Sequence, residues 1–263
     1  MSNQRVITKK TPADFDKMLV AGKCVAAMHG AVREAIAPGV TTLDLDHIAR
    51  EVLVAHDCTS SFLGYGSAHN PFPGVLCTSP NAVIVHGIPD EYTLKEGDII
   101  SIDAGAIYEG WHGDAAFTAP VGDIPDDVAN LLDVTEKALW NGIEQAKAGN
   151  RLGDIGAAVE ATAEPHGLGV VREYVGHGIG REMHEAPSVP NYGRRGKGLR
   201  LKAGMALAIE PMFNLGTRDS YVLDDEWTVL TADGAWSAHF EHTVLLTDAG
   251  TIVSTLPEPK HIG

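Results

Sequence analysis

The chain of 263 residues is short of cysteine, short of positive charge and without any long apolar run. Its three cysteines, Cys24, Cys58 and Cys77, form no CxxC pair, and an odd number argues against a disulfide framework or a structural zinc knuckle. A reducing cytoplasm suits such a chain. Lysine and arginine number 20 against 35 acidic residues, a formal charge of −15, so no direct nucleic-acid binding is expected. No stretch of about 18 apolar residues occurs, and the opening MSNQRVITKKTPADFDK lacks the apolar core of a signal peptide, so neither a membrane span nor export is expected. What remains is an acidic chain long enough to bury a full core, as one large domain or as two fused halves. It also carries 12 histidines, for most of which scattered surface positions are the default.

Thr11-Pro12-Ala13-Asp14 reads as a capped helix start with proline at the first helical position, and apolar residues at helical spacing continue to Ile36. Pro38-Gly39 ends it. Thr41 or Thr42 caps a second helix running to about His56. Residues 57–82, rich in Gly, Pro, Ser and Asn, read as a long loop, and such loops are more often functional than idle. A strand from Ala82 to His86 follows. A second pair of helices is expected over Pro125 to about Ala148 and about Asp154 to Glu164.

The chain also repeats itself. Residues 94–103, LKEGDIISID, align without a gap to residues 201–210, LKAGMALAIE, so Asp103 falls on Glu210. His86-Gly87-Ile88 recurs as His177-Gly178-Ile179, and Pro38-Gly39 with Asp44 recurs more faintly as Ala148-Gly149 with Asp154. The expected fold is α+β: two pseudo-symmetric halves, about 12–120 and 121–255, sharing one curved antiparallel sheet covered by helices. A flexible arm, 1–11, would precede one catalytic domain, 12–263; two domains with separate cores are the alternative.

The chain is organised around GDIISIDAGAIYEGWHGD, residues 97–114, read as a hairpin in which Glu109-Gly110 looks like the turn. With a Tyr108-Glu109 loop, Asp103 and Asp114 would stand directly opposite on one face, a repulsive pairing unless something positive lies between them. Two solvated aspartates flanking a turn are the plain alternative. In the second half, Glu241 is the candidate for the role that Asp114 has in the first. Four carboxylates and a histidine form an oxygen-rich set suited to hard or borderline divalent metals such as Mn, Fe or Co. Two ions about 3.5 to 4 Å apart can share a water, make it acidic and polarise a neighbouring carbonyl, which describes a hydrolase centre. The segment from Gly176 to Glu185 offers two histidines among glycines that permit close approach, and it lacks the HExxH spacing of a zinc helix.

With these motifs in view, the chain resembles the methionine aminopeptidases of the short, type I kind over residues 12 to 255. The resemblance implies the pita-bread fold and a dinuclear centre of two divalent ions (Co, Mn, Fe or Zn). Its ligands would be Asp103 in SIDAG, Asp114 in HGD, His177 in GHGIG, Glu210 in IEP and Glu241 in FEHT. It also makes His86 in VHGIP and His184 in MHE substrate-contacting histidines, and it maps a methionine pocket onto Tyr65, Phe72, Cys77 and Trp227, with Met183 nearby. Met183 stands where the family usually has Phe, Phe72 where Tyr is common, and Ala82 where an acid often follows Asn81.

The implied activity is removal of N-terminal methionine from nascent polypeptides with a small second residue. A bridging water would attack the methionine carbonyl while Glu210 carries the proton. The partners would be peptides and nascent chains, with the ribosome as a candidate meeting place; a cytoplasmic monomer is expected. Three rivals compete. Prolidases and aminopeptidases P carry an extra N-terminal domain for which the arm has no room. A non-catalytic binding protein of the same fold would be expected to lose ligands. A mononuclear iron oxygenase built on His112-Gly113-Asp114 would leave Asp103, Glu210 and Glu241 unexplained.

Overall fold

Thr11 starts the first helix as its sequence suggests: the Asp14 N–H donates to the Thr11 hydroxyl at 3.3 Å, and the Thr11 N–H donates to the Asp14 carboxylate at 2.8 Å. The resulting helix, α1 (Pro12–Ala35), belongs to a computed structural model that describes residues 7–263. Thr41 and Asp44 repeat the device ahead of α2 (Thr42–Ala55). In the second half lie α3 (Asp126–Gln145) and α4 (Leu152–Ala163). The third helix ends earlier than its expected limit near Ala148, and the fourth begins two residues before Asp154, whose carboxylate accepts the Arg151 N–H at 2.8 Å. Met18, Val25, Met28 and Val32 of α1 are fully buried, and each such side chain contributes roughly 1.5 to 3 kcal/mol.

The helices cover a curved, ten-stranded antiparallel sheet, the architecture expected of two halves. Its central order is Ile99–Tyr108, Trp111–Pro120, Glu241–Thr247, Ala206–Ile209 and Gly176–Gly178, so the halves meet where Trp111–Pro120 pairs with Glu241–Thr247. Three smaller sheets lie beside the main one, where a single sheet was expected.

The repeat is visible in the backbone bonds. Ahead of the two acid-bearing strands, the Asp98 N–H donates to the Lys95 carbonyl and the Met205 N–H to the Lys202 carbonyl. Gly97 and Gly204 occupy the left-handed region at φ 89° and 90°, which only glycine takes without strain. Gly39 donates to Leu94 and Gly149 to Leu201, so the faint match between Pro38-Gly39 and Ala148-Gly149 is structural too.

Three expectations need correction. First, the hairpin turn is Glu109-Gly110 as its residues suggest, both at positive φ as a two-residue turn between right-twisted strands requires, and the register drawn from a Tyr108-Glu109 loop fails. Asp103 therefore pairs with Ala116, and Asp114 with Gly105; the two acids are diagonal neighbours on the same face rather than directly opposite. Second, the expected loop 57–82 contains the buried strand Leu76–Pro80, which pairs with Ile99–Tyr108 and sets Cys77 opposite Asp103. Third, His86-Gly87-Ile88 does not take the place of His177-Gly178-Ile179. His177 lies in the main sheet beside Ala208, whereas His86 follows the short strand Val83–Val85 of another sheet, at φ 60°.

Of the expected arm, residues 1–6 lie outside the described residues. Lys10 is buried: its N–H donates to the Gly204 carbonyl at 2.8 Å, and its ammonium group lies 2.7 Å from the Glu185 carboxylate. Residue 10 is thus a packed contact where a flexible arm was expected.

Candidate metal centre and its apolar pocket

Strand alternation brings the acids together. Ala116 pairs with Asp103 on one side and with Glu241 on the other, so these two carboxylates flank a single methyl group on one face of the sheet. Asp114 lies two residues back on the same strand and the same face. His177 pairs with Ala208, two residues before Glu210, and so the second half contributes its groups to the same concave face.

All twelve residues singled out in the sequence line one cavity of about 120 Å³: Tyr65, Phe72, Cys77, His86, Asp103, Asp114, His177, Met183, His184, Glu210, Trp227 and Glu241. Phe62, Val85 and His239 line it as well and escaped the sequence reading. The signal for His239 was its place two residues before Glu241.

One end of the cavity is polar. One donor atom each from Asp114, His177 and Glu241 lie within 4.8 Å of one another, a spacing that could hold a metal ion. His177 Nε2 is 3.7 Å from Asp114 Oδ2 and 3.6 Å from Glu210 Oε1, too far for hydrogen bonds. Its Nδ1 lies 2.8 Å from the Gly178 carbonyl, which can only accept, so Nδ1 carries the proton and Nε2 turns a lone pair towards the acids. Asp103 Oδ1, Asp114 Oδ1 and Glu241 Oε1 are buried without any hydrogen-bond partner.

Such a cluster cannot hold its full negative charge unaided. Burial, then neighbouring carboxylates, push Asp103, Glu210 and Glu241 well above the ordinary carboxylate range, and burial raises Asp114 to about 7. Burial likewise lowers His177 to about 4, so that ring is neutral. Orphaned carboxylate oxygens around a neutral imidazole lone pair fit a divalent cation. Burial and the facing Asp103 raise the Cys77 thiol well above its usual range, and its side chain packs with Phe62, Phe72 and Met183. His112 is engaged elsewhere, with Nδ1 at 2.9 Å from the Ser61 hydroxyl.

The other end of the cavity is apolar. Phe62, Phe72, Cys77 and Met183 pack into one buried cluster, with Trp227 against them. Phe72 meets Trp227 edge to face at 5.3 Å. The Trp227 ring fits because residue 66 is glycine: a Cβ there would lie 2.6 Å from the ring. His86 stands at the junction of the two ends, 6.4 Å from the Trp227 ring, and burial lowers it to about 4. Tyr65 is exposed at the rim and shares a 2.6 Å hydrogen bond with His184 Nδ1. The His184 ring in turn lies 4.3 Å from that of His177. Glu185 anchors this segment, accepting the Arg181 N–H at 2.8 Å while it holds Lys10.

Residues 16–248 match metallopeptidase family M24. The chain is 48% identical to methionine aminopeptidase 1 of Bacillus subtilis, across 95% of this chain and 99% of that protein. The crystal structure of a methionine aminopeptidase from Thermotoga maritima superposes with a TM-score of 0.92 at 43% identity, covering 95% of this chain and all of that one. A prolidase from Pyrococcus furiosus shares the fold, with a TM-score of 0.73 at 22% identity over 97% of this chain and 66% of that one.

Proposed function

We infer, from the premise that the chain belongs to the methionine aminopeptidases of metallopeptidase family M24, that it removes methionine from the N-termini of polypeptides at a centre of two divalent ions. The proposed ligands are Asp103, Asp114, His177, Glu210 and Glu241. The observation that carries this reading is the trio of buried carboxylate oxygens without partners, on Asp103, Asp114 and Glu241, in the cluster to which His177 turns an unprotonated nitrogen. When bound, a pair of divalent ions supplies an acidic water and polarises the scissile carbonyl.

The chain's own residues would do the rest. Phe72, Cys77, Met183 and Trp227 form a dry slot that suits an unbranched thioether, and sulfur beside an aromatic ring adds about 0.3 to 1.5 kcal/mol. Tyr65, half exposed at the rim, fixes the His184 ring through its hydroxyl. From there His184 can donate a hydrogen bond to the oxygen that gains charge in the transition state. His86, kept neutral by burial, is placed to position the scissile amide. Glu210 would take a proton from the attacking water and return it to the leaving amine, a role suited to a carboxylate at the polar end of the cavity. The narrow cavity, crowded by His86 and His184, favours a small second residue such as Ala, Gly or Ser.

The substrates would be nascent chains and peptides, met by a monomer in the cytoplasm, the ribosome being one place of encounter. The three thiols are free and buried, which suits a reducing compartment. Among the described residues no helix is long and apolar enough to cross a membrane.

The deciding experiment combines metal analysis of the native protein with hydrolysis of Met-Ala peptides. The parent should hold two ions per chain and release methionine, while D114A should lose both metal and turnover. Normal metal binding and full activity in D114A would overturn the reading.

A further inference from the structure

His239 is buried at the polar end of the cavity, and its Nε2 has no hydrogen-bond partner. Its backbone is pinned from two sides. The His239 N–H donates to the Thr118 hydroxyl and the His239 carbonyl accepts from it, both at 2.9 Å. His239 also pairs with Met212, two residues beyond Glu210, so ring and carboxylate are carried by adjoining strands. The ring is therefore held in place while its polar edge is unpaired, an arrangement that burial penalises unless a partner completes it.

Among the described residues, the carboxylate within 4.0 Å of that nitrogen is Glu210. Its two oxygens face two different histidines: Oε1 lies 3.6 Å from His177 Nε2, and Oε2 lies 3.9 Å from His239 Nε2. Among the described residues, the group of donor atoms close enough to share an ion comprises Asp114, His177 and Glu241; Asp103, Glu210 and His239 all stand outside it, and His239 reaches the group only by way of Glu210. A carboxylate only accepts, so a bond to Glu210 selects the tautomer of His239 with its proton on Nε2.

We propose that His239 is a positioning residue for Glu210: when the 3.9 Å gap between them closes to hydrogen-bond length, its Nε2–H donates to Oε2 and turns Oε1 towards His177. This rests on the reading of Glu210 as a ligand. Partners of this kind, one step behind a ligand, orient it and change metal affinity or activity by about 10- to 100-fold when removed. The proposal gives a buried, otherwise unsatisfied nitrogen a function, and it assigns separate tasks to the two oxygens of Glu210.

The test is calorimetric titration of chelator-stripped protein with Mn or Co, alongside Met-Ala kinetics. His239→Leu, which fills the space without a donor, should bind metal about 10- to 100-fold more weakly and lose kcat with little change in KM. His239→Gln, which keeps a neutral N–H donor, should restore both towards the parent. Unchanged metal affinity in the leucine variant would overturn the proposal, as would loss of one ion from the glutamine variant, which would make His239 a ligand instead. Should the leucine variant fail to fold, nitrogen NMR of the parent decides: the His239 signals, assigned by their absence in the glutamine variant, must show a protonated Nε2. D114A, run in parallel, separates the two levels. Metal retained there sinks the ligand set itself, whereas metal lost there but unaltered in His239→Leu sinks only the role of His239.

Discussion

Asp103 and Glu241 flank Ala116 from the two neighbouring strands, on one face of the sheet, each paired with it across a ladder. At about 4.8 Å between strands, their backbones stand about 10 Å apart, and the single methyl group of Ala116 leaves the space between two long side chains open. Ala116→Leu should fill that space. It should abolish metal binding while far-ultraviolet circular dichroism is retained, at a loss of about 1 to 3 kcal/mol from overpacking. Undiminished metal content in folded Ala116→Leu would show that the ions lie elsewhere.

Stability without metal should fall as pH rises. Asp114 binds its proton in the folded chain up to about pH 7, whereas an unfolded aspartate releases it near pH 3.9. Between those values the folded state retains a proton that the unfolded state has lost, so stability declines by up to about 1.4 kcal/mol per pH unit for each such group. Asp103, Glu210 and Glu241 are raised by the same cause and act in the same direction. Below about pH 6.5 the histidines that burial keeps neutral, His86, His177, His184 and His239 among them, act in the opposite direction, so the comparison belongs above that range. Urea unfolding of chelated protein should give a lower midpoint at pH 8.5 than at pH 7, and added divalent metal should reverse the order. A flat profile in the absence of metal would contradict the buried-carboxylate account.

The two histidines that look alike in sequence should separate in function. His177→Ala removes the lone pair directed at the acids and should lower metal affinity. His86→Ala lies outside the main sheet and should lower turnover with metal retained. Metal analysis of both variants is decisive, since equal loss would mean that His86 is also a ligand.

Selectivity should respond at Met183, a flexible chain packed against Phe62, Phe72 and Cys77. Met183→Phe makes the slot more rigid. It should sharpen preference for methionine over norleucine, within the roughly 1 to 3 kcal/mol that a methylene-sized difference allows, without abolishing activity. Rates on a panel of X-Ala peptides measure this. Efficient release of lysine or glutamate, or cleavage only before proline, would call for a different substrate class.

Much of this was legible because it is locally encoded. The capping boxes at Thr11 and Thr41 mark helix starts within four residues, and the LKxG turns carry their own glycines. The Glu109-Gly110 turn was legible, but the register was counted from a loop one residue earlier. The error shifts a pair by two positions, so the same-face relation of Asp103 and Asp114 survived it. The strand Leu76–Pro80 was illegible because Pro73, Gly74 and Pro80 signal a loop; its extended form follows from pairing with the strand that carries Asp103. Likewise, the two HGI triplets have the same letters in different backbone settings, and no local signal distinguishes an in-sheet histidine from one at φ 60°.

The seam between Trp111–Pro120 and Glu241–Thr247 divides the acids and their histidine unequally: Asp103 and Asp114 on one side, His177, Glu210 and Glu241 on the other. An ion seated there would act as a clasp between two pieces that the chain joins only by the run from Val121 to Pro125. If the peptide were severed at Gly122, neither fragment would own a complete coordination sphere. The two would remain mated most firmly while the clasp was closed, and chelation would loosen them. Fragment complementation would thus read out metal occupancy directly, with no substrate required.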